Sequence, residues 1–293
     1  MIDQKILAKL KRLKIITKRV VKESLTGDYH SIFKGKGLEF YDVRRYERGD
    51  DVRSIDWHVT ARTGYPHIKI NIEERELTNI ILFDASASSL FGKQDMTKRE
   101  LAANVSAVLS FASIMNNDKV GLFIFTDTVE KRIPPARGEK HIMRLIRDLL
   151  LFKPKGKKTN LNLAIKEVSR VIKRHSIIFL ISDFHEELDR SLLKMFENRF
   201  DIVPVLVVDP WEKNLPDIGE ITFTDTETNE EITIDSSSKK IRDEYKSRWE
   251  KFYEDRKSYF KKLGMDYIEI ENGKSYIDPV VSYFQKRKKR IRR

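Results

Sequence analysis

Five oxygen-bearing side chains carry the chemistry open to this chain. Asp84, Ser86 and Ser88 alternate in the run Asp84-Ala85-Ser86-Ala87-Ser88, so one turn can aim all three at a single point. Thr159, in KKTNLNLA, adds a further hydroxyl, and Asp183, closing IIFLISDF, adds a second carboxylate. Hard oxygen donors of this kind suit Mg²⁺, with Mn²⁺ and Ca²⁺ as alternatives. One carboxylate and two neutral hydroxyls leave most of such an ion's charge uncancelled, so the ion would still attract an anion. Each residue also has an ordinary role. Asp and Ser after a strand serve as turn and N-cap residues, Thr159-Asn160 reads as a helix N-cap, and Asp183 reads as a cap before a helix near Asp189. None of these roles excludes ligation.

Other chemistries fit less well. A metal-dependent phosphohydrolase could use Asp84 as nucleophile, but the haloacid-dehalogenase-like pattern needs a second carboxylate two residues on, where Ser86 stands. Gly156-Lys157-Lys158-Thr159 imitates the end of a phosphate-binding loop without the glycine four residues earlier or a preceding strand. The histidines (His30, His58, His67, His141, His175, His185) include no closely spaced pair for zinc, and no Ser/His/Asp arrangement is legible; His185, two residues past Asp183, is the one placed near the proposed ion. With no cysteine, thiol chemistry and disulfides are excluded. The expectation is a site that grips and does not catalyse.

Positioning these residues is the task of an α/β framework. From Leu77 onward, apolar strands alternate with helices, as in a doubly wound, mostly parallel sheet. Strands are expected at Asn79–Phe83, Lys119–Phe125, Ser176–Ser182 and Ile202–Val208, with Val129–Ile133 as an antiparallel partner and Tyr267–Ile270 as the last. Helices are expected at 98–115, 140–151, 161–173, 189–198, 238–263 and 278–289. In such a sheet, loops at the carboxyl ends of neighbouring strands form the ligand crevice, which is where Asp84 and Asp183 fall.

Around that framework, residues 1–26 read as an amphipathic helix with Ile6, Leu10, Leu13, Ile16 or Thr17, and Val20 on one face, docking on the body. After a link punctuated by Gly27, Gly35 and Gly37, Leu38 to Ile72 reads as short extended pieces expected to pair with a hairpin in 210–236, so that 27–76 plus 210–236 form a small β subdomain. The doubly wound domain takes 77–209 plus 237–284, and 285–293 forms a basic tail. Between Tyr41 and Arg62, Arg44, Arg45, Arg48, Arg53 and Arg62 alternate with Asp42, Glu47, Asp50, Asp51 and Asp56 beside Trp57. That pattern reads as an ion-pair network fixing the small layer, with a partner-binding patch as the alternative.

The net charge of +12 sits at the two ends. Residues 1–23 carry +6 and QKRKKRIRR at 285–293 carries +7, leaving −1 for the rest. The folded body is thus near neutral, so nucleic acid or an anionic membrane could be met only through the ends, and no aromatic residue beyond Phe284 interleaves with the tail's charge. No apolar stretch approaches the roughly 20 residues of a membrane span, and the lysine-rich start is no secretory signal. A cytoplasmic protein is expected.

The five-residue arrangement resembles the metal-ion-dependent adhesion site of von Willebrand factor A domains. The run GLEFYDVRRYERGDDVRSIDWHVTARTGYPHIK, then EEREL, VGLFIFTD, PPARGEKH, LISDF and VVDPWEKNLPDIGEI, resembles the bacterial family catalogued as domain of unknown function 58, over nearly the whole chain. The resemblance implies that Asp84, Ser86, Ser88, Thr159 and Asp183 bind the cation, with one position left for an acidic residue of a protein partner. Family members commonly accompany AAA+ ATPases of the MoxR type, which implies a chaperone-like or assembly system. Many relatives also carry membrane helices ahead of this region; no span is legible here, so that property is not carried over.

Overall fold

The structure, a computed structural model, describes residues 42–70, 77–93, 96–224 and 231–291, together with Lys14, Ile15 and Thr17. The rest of the expected N-terminal helix, residues 27–41 and the hairpin turn at Thr228-Asn229 lie outside the described residues. The three isolated residues are helical, with Thr17 buried, Ile15 exposed and Lys14 paired with Glu139.

Residues 42–70 hold more helix than their composition suggests. Strands β1 (Asp42–Arg45) and β2 (His67–Ile70) pair antiparallel, but helix α1 (Trp57–Thr63) stands between them where extended chain was expected. Its ends are locally specified. The Asp56 carboxylate accepts the N–H groups of His58 and Val59, and Gly64 closes the helix at φ 75°, a left-handed conformation that glycine adopts without strain. Of the charges in this segment, Arg44 makes a two-pronged contact with Asp50, at 2.8 and 2.6 Å, which lies within the segment itself.

Next come β3 (Thr78–Asp84), the small pair β4 (Gly92–Lys93) and β5 (Met96–Thr97), and helix α2 (Lys98–Met115). Strands β6 (Lys119–Phe125) and β7 (Val129–Ala136) precede helices α3 (Glu139–Leu150) and α4 (Leu161–Val171). Strand β8 (Ser176–Ser182), helix α5 (Arg190–Phe196) and strand β9 (Phe200–Val208) follow. After the hairpin β10 (Glu220–Thr224) and β11 (Glu231–Asp235), the chain ends in α6 (Lys239–Lys262), β12 (Ile268–Glu271) and α7 (Ile277–Ile291). The central sheet runs β12-β9-β8-β3-β6-β7, parallel throughout except for β7 at one edge. This is the expected doubly wound, mostly parallel architecture.

Alternation along β3 divides the core. Ile81 and Phe83 face the layer of α2, α3 and α7, while Ile80 and Leu82 face the layer of α4, α5 and α6. Helix α2 starts with a reciprocal cap, in which the Thr97 hydroxyl accepts the Glu100 N–H and the Glu100 carboxylate accepts the Thr97 N–H. It is buried along most of its length, and its serines survive there because Ser106 and Ser113 donate to carbonyls one turn back at 2.7 and 2.8 Å.

Three expected boundaries need correction. Among the described residues the β10-β11 hairpin forms its own two-stranded sheet and does not pair with β1-β2; Phe223 stacks on Tyr245 of α6. Residues 210–212 do not belong with that hairpin, because Glu212 is buried against the main domain. The tail is no separate segment beyond 284 either. Helix α7 continues to Ile291, and Arg287 is tied to Asp201 and to the Tyr283 hydroxyl.

Candidate metal centre

Strand order places the site. Strand β3 lies between β6 and β8, with Phe83 opposite Ile181, so the loops leaving β3 and β8 begin side by side. Asp84 ends β3, and its Oδ1 accepts the Ser86 N–H at 2.9 Å, which folds the chain into a short 3-10 turn at Ala87–Leu90. That turn brings Ser88 Oγ to 3.2 Å from Ser86 Oγ. The loop before α4 is laid against it by the Ala87 N–H donating to the Lys157 carbonyl at 2.9 Å, and Thr159 Oγ1 donates to Asp84 Oδ2 at 3.4 Å. Asp183, one residue past β8, lines the same pocket as Asp84 and Ser88. All five residues singled out in the sequence therefore meet at one rim of the sheet. The caps fall to neighbours: Asn160 caps α4 and Asp189 caps α5.

Burial sets the electrostatics. Burial and the charge of Asp183 push the Asp84 carboxyl up to about 6, against the stabilising Ser86 N–H and Ser182 hydroxyl. Burial alone would push Asp183 up as well, but Lys98, with Nζ 2.9 Å from Asp183 Oδ2, holds it below the usual carboxylate range. Lys98 is itself buried, which favours deprotonation, yet Asp183 and Glu212, the latter 2.5 Å away at Oε1, raise its affinity for the proton above the ordinary value. Glu212 Oε2 in turn accepts the Tyr253 hydroxyl at 3.2 Å and the Asp209 N–H at 3.4 Å. His185 lies with Nε2 3.7 Å from Asp183 Oδ2 and its ring stacked on Phe252 at 5.0 Å.

The donor set fits a small hard cation. Asp84 is buried and, among the described residues, has no Lys, Arg or His within ion-pair distance; its partners are the Ser86 N–H and the hydroxyls of Ser182 and Thr159. A pocket lined by Asp84, Ser88, Lys98 and Asp183 adjoins it. An unmatched buried carboxylate beside three hydroxyls and a second carboxylate is a place where positive charge is favoured. No cluster of three or more His, Cys, Asp or Glu side chains suited to a metal occurs among the described residues, so the hydroxyls are essential to this reading.

Sequence reasoning missed Lys98, Ser182 and Glu212. Ser182 Oγ donates to Asp84 Oδ2 at 2.7 Å and accepts the Phe184 N–H at 3.0 Å, pinning Phe184 in a left-handed conformation (φ 56°) that few bulky residues adopt. Phe184 packs edge-on against Phe260 of α6, 5.0 Å between ring centres. A signal for Lys98 was present: lysine in the first helical turn opposes the helix dipole, so a compensating carboxylate is implied. Nothing nearby in sequence announces Glu212.

The loop that imitates a phosphate site is committed elsewhere. The N–H groups of Lys155 and Gly156 donate to the Glu130 carboxylate at 2.8 and 2.9 Å. Those amides brace the loop by holding a carboxylate of the chain itself. Around the five residues, Leu90, Phe91 and Trp211 are exposed, as are Lys153, Lys155, Lys157 and Lys158. No helix among the described residues is long and apolar enough to cross a membrane.

Uncharacterized proteins of Mycobacterium bovis and Mycobacterium tuberculosis are each 32% identical to this chain over 248 residues, which is 83% of this chain and 77% of theirs. Among solved structures, the conserved hypothetical protein BatB from Bacteroides thetaiotaomicron shares 16% identity at a TM-score of 0.46, covering 73% of this chain and 99% of that one. An aerotolerance-related membrane protein from Bacteroides fragilis shares 19% at a TM-score of 0.47, covering 72% and 99%. Proximal thread matrix protein 1 from the mussel byssus, solved with a zinc-occupied MIDAS motif, shares 16% at a TM-score of 0.37, covering 45% and 38%. The family described as protein of unknown function DUF58 matches residues 42–254, the stretch that holds every residue of the site, and this chain belongs to that family.

Proposed function

We propose that this chain is a metal-dependent protein-interaction module. Asp84, Ser86, Ser88, Thr159 and Asp183 hold one divalent cation, Mg²⁺ above all, with Mn²⁺ and Ca²⁺ as alternatives. When bound, the cation offers a positive charge to which an acidic residue of a partner attaches. The observation that carries this reading is the gathering of Ser86, Ser88, Thr159 and Asp183, from three separate loops, about the buried Asp84 carboxylate, which makes no ion pair among the described residues.

The chain's own residues do the rest. Ser182 and the Ser86 N–H fix the Asp84 carboxylate in one orientation, and Lys98 holds Asp183. Exposed Leu90, Phe91 and Trp211 give the rim an apolar surface that keeps water from a docked carboxylate, while the four lysines of the 153–158 loop draw acidic partners in. Residue chemistry favours gripping over turnover, because the position two residues beyond Asp84 holds a serine and not an acid. The proposed partner is an AAA+ ATPase of the MoxR type in a cytoplasmic chaperone or assembly system, a choice that rests on the family resemblance alone.

The test is affinity capture from native lysate in Mg²⁺, with and without chelator, using the parent chain and Asp84→Ala. The parent is expected to retain a chelator-sensitive set that includes an AAA+ ATPase, and the variant to lose that set while keeping its circular dichroism. Equal capture by the variant removes the reading.

A further inference from the structure

Lys98 stands where a positive charge is least welcome. It is the first residue of α2, at the positive end of the helix dipole, and it is buried. Two carboxylates hold it there, and they differ in kind. Asp183, at 2.9 Å, belongs to the five-residue centre; Glu212, at 2.5 Å, does not, and is anchored separately by the Tyr253 hydroxyl and the Asp209 N–H. Lys98 also lines the same pocket as Asp84, Ser88 and Asp183. The ammonium therefore forms a wall of the space the cation would enter and shares one of its ligands.

We propose that Lys98 is a built-in competitor of the divalent cation for Asp183, and that Glu212 sets the competition by giving the ammonium a second resting place. This rests on the metal-dependent reading above. With Lys98 in place, part of the charge of Asp183 is already countered, so an incoming ion depends chiefly on Asp84. A partner's carboxylate supplies the charge that is missing. The centre then holds its ion loosely by itself and firmly once an acidic residue docks, and by linkage the ion strengthens docking by the same factor. A second consequence is that Lys98 stabilises the fold before any ion arrives, since two buried carboxylates would otherwise face each other unscreened.

Calorimetric titration with Mn²⁺ of the full chain, its Lys98→Met and Glu212→Gln variants, and the double variant tests this. Lys98→Met is expected to bind Mn²⁺ about tenfold tighter than the parent. Glu212→Gln, in which the ammonium leans wholly on Asp183, is expected to bind about threefold weaker or worse. A purely structural Lys98–Glu212 pair would make both variants weaker, so the opposite signs are the signature. Should Lys98→Met fail to fold, the double variant, which removes one charge of each sign, carries the comparison and should still bind more tightly than the parent. Equal or weaker binding by the folded Lys98 variants overturns the competition while leaving the metal-dependent reading intact. If neither the parent nor any Lys98 variant binds Mn²⁺, both fall; a silent parent beside a binding Lys98→Met supports the competition.

Discussion

Replacing Gly156 by alanine puts a methyl carbon where there is no room. Built on the present backbone, that carbon would lie 2.3 Å from Asp127 Oδ1, 2.4 Å from Thr126 Oγ1 and 3.0 Å from Thr126 Cβ. The Asp127 side chain can swing away, being exposed, but Thr126 is fully buried and its hydroxyl is bonded to Glu130 at 2.7 Å. The loop must yield instead, and with it the Gly156 N–H bond to Glu130 and the Ala87 bond to Lys157. Overpacking of this kind costs about 1–3 kcal/mol. At about 2–4 °C per kcal/mol for a domain of this size, Tm should fall by about 2–12 °C. Because Thr159 rides on the same loop, Mn²⁺ affinity should fall with it. Calorimetric melting and Mn²⁺ titration of Gly156→Ala check both effects, and a variant that melts within a degree of the parent and binds the ion equally well would refute the account of a braced loop.

Other substitutions probe the framework and its charges. Thr97→Ala removes one half of the reciprocal cap on α2 and should cost about 1 kcal/mol in denaturant unfolding. Asp148 is held below the usual carboxylate range, burial being outweighed by hydrogen bonds and charge from Arg147 and Lys131. A depressed folded-state value means stability that is present above the unfolded value of 3.8 and is lost as pH falls through the folded one. Melting curves collected downward from pH 5 should therefore fall less steeply for Asp148→Asn than for the parent, and parallel curves would count against the assignment.

How far the sequence foretold all this varies with the range of the deciding interactions. Helix α2 and strands β6 and β8 have the expected bounds because each is set locally, by a Thr-Glu cap or an unbroken apolar run. That Asp84 and Asp183 lie side by side was legible for the same reason, since neighbouring parallel strands end at the same edge of the sheet. Helix α1 was not, because Val59, Thr60 and Thr63 favour extended chain and only the caps at Asp56 and Gly64 decide otherwise. The pairing of Lys98 with Glu212 spans 114 residues, and no local rule reaches that far. The hairpin's place was misjudged because a contact such as Phe223 on Tyr245 is decided by the folded whole and has no local signal.

The centre's bonds also determine when it can come into existence. Asp84 meets Thr159 across 75 residues and Ser182 across 98, while Lys98 meets Asp183 across 85. Tyr253, on α6, is needed to anchor Glu212. Contacts of such long separation close late in folding, after the loops between them have lost their freedom. On the ribosome, therefore, the five residues cannot gather before Asp183 has been made, and the Lys98–Glu212 pair cannot gain its Tyr253 anchor before α6 has.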